Sequence, residues 1–251
     1  MALAPAGLDV VLDVARDPTR WAVNDVLNTH TTQCRVPAVT LDTGWIFTDL
    51  GPYRDGEGTY NFYPSKSLPA LPTHLFGKGY RWLPIQDPQD PQDPENDEAA
   101  LMTPIDVQSW YVDLDVPESF RAFMSRRDLL GSIPSNTACW WTLSEAPIPS
   151  PLDDGAKMVN FLNDQQCCVY WYLYVWPDGR HGVVAGGLDY DDDEPVDPET
   201  ARHDLVLVAA DFEQFLYRFW VENVAWFEAV DEEREWDELS APVRDYLSHY
   251  R

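Results

Sequence analysis

Carboxylates crowd one short stretch of this chain, DYDDDE, where Asp189, Asp191, Asp192, Asp193 and Glu194 fall almost side by side. Hard divalent cations such as calcium take several carboxylate oxygens, so metal chemistry is sought here first. The stretch lacks the glycine and the terminal glutamate that an EF-hand loop needs at fixed offsets, and adjacent carboxylates in a polar loop ordinarily stay solvated. Their other use is electrostatic, docking against lysines and arginines of a partner. Other reactive groups are scattered. His30, His74, His181, His203 and His249 have no second ligand type at metal spacing, and His181 follows a turn and reads as a strand residue. Cys139, next to Trp140, lacks an evident base and reads as a buried structural thiol. No G-x-S-x-G, P-loop, H-E-x-x-H or paired C-x-x-C motif occurs. The expectation is a protein without catalytic residues, cofactor or metal, and not an enzyme.

The charge balance points the same way. Lys and Arg number 17 against 43 Asp and Glu, a formal net charge of −26 over 251 residues, with 45% hydrophobic residues to build a core. Such a surface repels phosphate backbones and anionic lipid, so neither direct nucleic-acid binding nor membrane binding is expected. Basic partners would be steered toward it. No run of apolar residues is long enough to span a bilayer. The opening MALAPAGLDVVLDVARD has no basic start and meets an acid at Asp9, so no secretory signal is expected. Cys34, Cys139, Cys167 and Cys168 match no zinc spacing, and the adjacent pair reads as small buried hydrophobes in an apolar strand. A reducing, cytoplasmic setting follows.

The elements that must position these groups divide at the tandem triplets of QDPQDPQDPEND, which offer no apolar side chain and read as an acidic linker or loop over 86–98. Residues 1–85 precede it and 99–251 follow. In the first part, GLDVVLDVA and DPTRWAVNDVLNTH read as short helices, the second capped by Asp17. Asp42-Thr43-Gly44 sits between two β-prone runs and predicts a hairpin turn. The stretch Gly51 to Trp82, rich in Gly, Pro and Tyr, yields no assignment.

In the second part, VPESFRAFM predicts a helix with Phe120, Phe123 and Met124 on one side. A hairpin follows in CVYWYLYVWPDGRHGVV, turning at Pro177-Asp178-Gly179. Its first strand alternates Val169, Trp171, Leu173 and Val175 with Tyr170, Tyr172, Tyr174 and Trp176. The Trp171 side predicts core. The tyrosine side either keeps its hydroxyls for water or a partner, or is covered by the N-terminal region or the long helix. A long amphipathic helix is expected over 211–230, capped by Asp211, with Asn223 on its apolar stripe pinning it to a loop. The amides Asn163 and Gln166 are expected to bond backbone groups at a strand end. SAPVRDYLSHY closes the sequence as a short helix.

The order of these segments resembles the SUKH superfamily of Smi/Knr-type proteins over roughly residues 100–251. VPESFRAFM is similar to the family's proline-led helix. FLNDQQCCVYW, with Asn163, Gln166 and Trp171, is similar to its amide-rich approach to a tryptophan strand. YLYVWPDGRHGVV is similar to its strand–turn–strand, and FEQFLYRFWVENVAWF to its final helix. The resemblance implies an α+β fold, a central antiparallel or mixed sheet with packed helices, here preceded by an N-terminal α/β extension. It also implies an immunity protein that binds and neutralises a cognate toxin, with no shared catalytic residues. The competing expectation is a non-catalytic adaptor in a regulatory or defence assembly. On either reading, the expected contacts are Asp191, Asp192, Asp193 and Glu194 together with Tyr170, Tyr172 and Tyr174, against a partner with a basic surface.

Overall fold

The computed structural model describes residues 41–85, 111, 114–152, 154–192 and 194–251. The two expected helices before residue 41 and the segment 86–98 lie outside these residues. The architecture is α+β, organised on one eight-stranded mixed sheet. Its strands are β1 (Asp42–Phe47), β2 (Asn61–Pro64), β3 (Trp140–Trp141), β4 (Ile148–Pro149), β5 (Lys157–Asn163), β6 (Tyr170–Val175), β7 (His181–Gly186) and β8 (Val206–Ala209). The spatial order is β2-β1-β8-β7-β6-β5-β3, with β4 also on β5. All pairings are antiparallel except β1 with β8. Strands from residues 42–64 therefore belong to the same sheet as the hairpin of residues 170–186.

β6 is central, and every residue of it is buried, which explains a run of six apolar and aromatic residues without a polar break. Its alternation still sorts the two faces. Trp171, Leu173 and Val175 join the larger core, while Tyr170, Tyr172 and Tyr174 join a smaller one on the opposite face. The turn to β7 forms as its residues dictate: Gly179 N–H donates to Trp176 O at 3.0 Å, and Gly179 takes φ +83°, which glycine reaches without a Cβ clash. A register shift between Asn160 and Leu162 lets both Phe161 and Leu162 face the larger core.

Asp42-Thr43-Gly44 is not a turn. All three residues lie inside β1, whose antiparallel partner is the distant β2. Gly44 serves close packing: a Cβ there would sit 2.2 Å from Cε2 of Phe62 on β2.

Helices α1 (Glu118–Met124), α2 (Arg127–Leu130) and α4 (Phe212–Trp226) belong to the larger-core side, and α3 (Pro198–Asp204) to the smaller. The last helix, α5 (Ala241–Leu247), packs Val243, Tyr246 and Leu247 into the larger core. Asp211 caps α4 through bonds from Glu213 N–H (2.8 Å) and Gln214 N–H (3.3 Å). The stripe Phe212, Phe215 and Phe219 meets Phe161, Trp171 and Phe47, mostly edge to face. The helix runs on into a wider π-type turn, Phe227–Asp231.

Polar residues beside this stripe are buried as well. Glu213, Arg218, Glu222 and Asn223 are all at most 8% exposed, and each holds a different part of the chain. Glu213 accepts from Gly77 N–H (2.7 Å) and Trp82 Nε1 (2.9 Å). Arg218 donates to Pro69 O (3.0 Å) and Tyr246 Oη (2.6 Å). Asn223 accepts from Asn136 N–H at 2.8 Å, pinning the helix to a loop. Glu222, fully buried, receives both terminal nitrogens of Arg54 at 2.6 Å, Trp45 Nε1 at 2.7 Å and the Tyr246 hydroxyl. Burial works against the Arg54 charge, but the Glu222 carboxylate outweighs it and holds the guanidinium protonated. The Gly51–Trp82 stretch thus wraps the outer side of α4, docked by polar bonds.

On the smaller face, the Tyr174 hydroxyl bonds to Asp154 Oδ2 and Ser150 Oγ, each at 2.6 Å. That of Tyr172 donates to Leu188 O (3.1 Å) and accepts from Tyr190 N–H (3.0 Å). The segments that carry Ser150, Asp154 and Leu188, together with α3, therefore cover the tyrosines and satisfy Tyr172 and Tyr174.

Two predictions follow from these contacts. Arg54→Met leaves a buried carboxylate without its cation and should cost about 3–5 kcal/mol in urea unfolding. Arg54→Met combined with Glu222→Gln removes both charges while keeping an oxygen acceptor for Trp45 and an amide N–H that the Tyr246 hydroxyl can accept. The double variant should be more stable than R54M alone; simple addition of losses would show that the pair is not the origin. The second concerns Asp211. Burial pushes its carboxyl up, but the nearby His181 and the amides of Gln214 and Glu213 prevail and hold it below the ordinary 3.8. A depressed folded value means stability that is present above 3.8 and lost as pH falls through the folded value. Asp211→Asn keeps a cap and removes the charge. The wild-type advantage, about 0.5–1 kcal/mol near neutrality, should vanish on acidification in pH-dependent thermal melts.

Candidate functional site

The acidic loop joins β7 to α3 and is shaped by Asp204. That carboxylate accepts from Gly187 N–H (2.8 Å), Leu188 N–H (3.4 Å) and Tyr190 Oη (2.9 Å), so the loop leaves the sheet in a fixed direction. Asp189, Asp191, Asp192 and Glu194 are exposed, whereas Asp193 lies outside the described residues. Partial burial and the neighbouring Asp189 and Glu145 raise the Asp191 carboxyl above its ordinary value. Among the described residues, no group of three or more His, Cys, Asp and Glu side chains is placed to hold a metal ion.

The tyrosines do not join this loop at the surface. Tyr172 and Tyr174 are 0% exposed and Tyr170 is 9% exposed, so as contact residues for a partner they are corrected to core. The hydroxyls of Tyr172 and Tyr174 are consumed by the protein's own loops, and burial pushes the Tyr170 phenol up to about 12. Trp171 is fully buried among Tyr60, Phe215 and Phe219.

The approach to β6 also differs from expectation. Cys167 and Cys168 are exposed, in the β5–β6 turn and not within a strand, and Cys167 takes φ +56°. Asn163 accepts from Asn160 Nδ2 at 2.8 Å, while Gln166 is exposed. The side chain that ties the turn is Asp164, 2% exposed, which accepts from Gln166 N–H (3.0 Å), Cys168 N–H (3.3 Å) and Tyr60 Oη (2.7 Å). Cys139 lies 3.6 Å from the same Tyr60 hydroxyl, and burial raises its thiol, the opposite of what a thiolate nucleophile needs.

The site that the sequence did not reveal lies beyond the π-type turn. Pro52 and Tyr53 on one side, and Trp236, Tyr250 and Arg251 on the other, line a groove of about 480 Å³. Glu233 and Glu235 stand at its rim. Tyr53 and Trp236 lie 5.9 Å apart between ring centroids. The Arg251 guanidinium stacks over the Trp236 ring at 4.2 Å. Arg234 is already engaged, 2.5 Å from Glu232 and 3.5 Å from Glu228. The buried pair behind the groove fixes its walls, because Arg54 adjoins Tyr53 and also donates to Tyr250 Oη at 3.2 Å. One signal was present in the sequence: Trp236 is a lone aromatic inside DEEREWDE, a charged run with no apolar periodicity to bury it.

The arrangement brings together tryptophan, tyrosine and arginine, the side chains richest in interface hot spots, under a rim of carboxylates. Among the described residues, no helix is long and apolar enough to cross a membrane. Comparison of the chain with protein-family models, curated proteins and solved structures finds no match.

Proposed function

We propose that this protein is a cytoplasmic immunity protein that works by binding and occluding a cognate toxin with a basic surface. The observation that carries the reading is the charge: −26 overall, with exposed carboxylates concentrated at 189–194 and 231–238. A toxin that holds phosphate, such as a nuclease, is positive where it acts, so an acidic inhibitor gains both steering and complementarity there. The resemblance of the segment order to the SUKH superfamily supports the same reading. Occlusion needs a rigid surface and no reacting groups. The loop anchored by Asp204 and the groove anchored by Arg54 supply such surfaces.

The test is co-expression with the toxin domain encoded beside this gene. Growth should be restored and the two chains should co-purify. Neutralising Asp191, Asp192 and Glu194 together, as D191N/D192N/E194Q, should slow association about three- to tenfold at low ionic strength and leave dissociation nearly unchanged. The difference should fade in high salt. Absence of both protection and binding would remove the immunity reading.

A further inference from the structure

The geometry points to the Tyr53–Trp236–Tyr250 groove as a receptor for an arginine side chain of the partner, with Arg251 of this chain filling that place in the free protein. This deepens the function proposed above and rests on it only for the identity of the partner. A tryptophan face attracts a guanidinium through its ring quadrupole, and Arg251 at 4.2 Å from the Trp236 centroid shows that the groove accepts that group in stacking geometry. Tyr53, in tilted contact with Trp236 at 5.9 Å between centroids, extends the aromatic wall beside that ring.

Charge complementarity selects the occupant. Glu233 and Glu235 stand at the rim and Asp237 follows, all exposed. The other rim cation, Arg234, is neutralised by Glu232 at 2.5 Å. A carboxylate or phosphate entering here would meet like charge, whereas a guanidinium would meet acids and π-faces together. Arg251 is exposed, and its stacking on Trp236 places it where an incoming arginine would sit. Withdrawal of Arg251 uncovers the groove without disturbing the core, since the walls are held from behind by Arg54 through Tyr250. The partner's arginine and Arg251 therefore compete for one ring.

The experiment titrates the full chain with the peptide Ac-Gly-Arg-Gly-amide and follows indole N–H resonances, with Trp236 assigned through W236F. In Arg251→Ala the Trp236 resonance should shift with an affinity about three- to tenfold tighter than in the unsubstituted chain. The citrulline peptide, equal in shape and uncharged, should bind neither. Isothermal titration calorimetry, which does not depend on the Trp236 resonance, should show binding abolished by Trp236→Leu in the R251A background and partly retained by W236F, which keeps a ring. Binding that is equal for citrulline, or unchanged by R251A, or preserved in W236L overturns the proposal. The two readings separate cleanly. A toxin bound equally well by W236L would sink the groove and leave the immunity function. A groove that takes the arginine peptide while no adjacent toxin is bound would do the reverse.

Discussion

The pairing of Arg54 with Glu222 is the constraint on which the rest of the architecture leans. Glu222 is fully buried, and an isolated carboxylate at that depth would be prohibitive. It is tolerated because four donors converge on its two oxygens, from Trp45, Tyr246 and both terminal nitrogens of Arg54. The donors come from β1, from the connection to β2 and from α5, so one side chain on α4 gathers elements far apart in sequence. Hydrophobic burial alone would not specify this arrangement, because aromatic surfaces slide over one another at little cost. Directional, charge-assisted bonds fix the register. Arg54 also lies 3.9 Å over the Tyr63 ring, which fastens β2 to the same point.

Legibility in the sequence followed periodicity. The alternation in β6 assigned its two faces correctly, and the three-to-four spacing of Phe212, Phe215 and Phe219 announced the side of α4 that meets the sheet. Glu213, Arg218 and Glu222, by contrast, have the composition of a solvent-facing stripe. They are buried because Gly51–Trp82, β1 and α5 close over them, and Gly51–Trp82 is built from short turns and one four-residue strand, with little period to detect. The same blindness accounts for Asp42-Thr43-Gly44, where glycine answered a neighbouring ring and not a turn. It also accounts for Asp164, whose carboxylate ties the β5–β6 turn while the neighbouring amides attracted notice. Local chemistry was readable; the long-range partner that gave each polar group its role was not.

The tyrosine face shows how burial and function were confounded. A row of tyrosines has the composition of a binding surface, since each ring offers area and a polar tip. Here each tip of Tyr172 and Tyr174 is matched by a group on the covering loops, with Asp154, Ser150 and Leu188 as acceptors or partners. The hydroxyls thus serve to position loops, among them the one that carries the exposed carboxylates. The sequence feature and the surface it shapes are adjacent but distinct: tyrosines inside, acids outside.

Preorganisation connects this interior to recognition. Binding weakens when loops and side chains must be ordered on contact, by about 0.5–1.5 kcal/mol for each immobilised side chain. In this protein the ordering is done at folding. Asp204 sets the exit of the acidic loop, Asp164 sets the β5–β6 turn, and Arg54 holds Tyr250 against the groove. On the proposed function, negative charge mounted on walls fixed in this way would discriminate among basic partners by shape as well as by sign, since a cation that cannot reach the Trp236 face would gain only the screened, long-range part of the attraction. Under that proposal the charge would bring partners in, and the buried bonds would decide which of them fit.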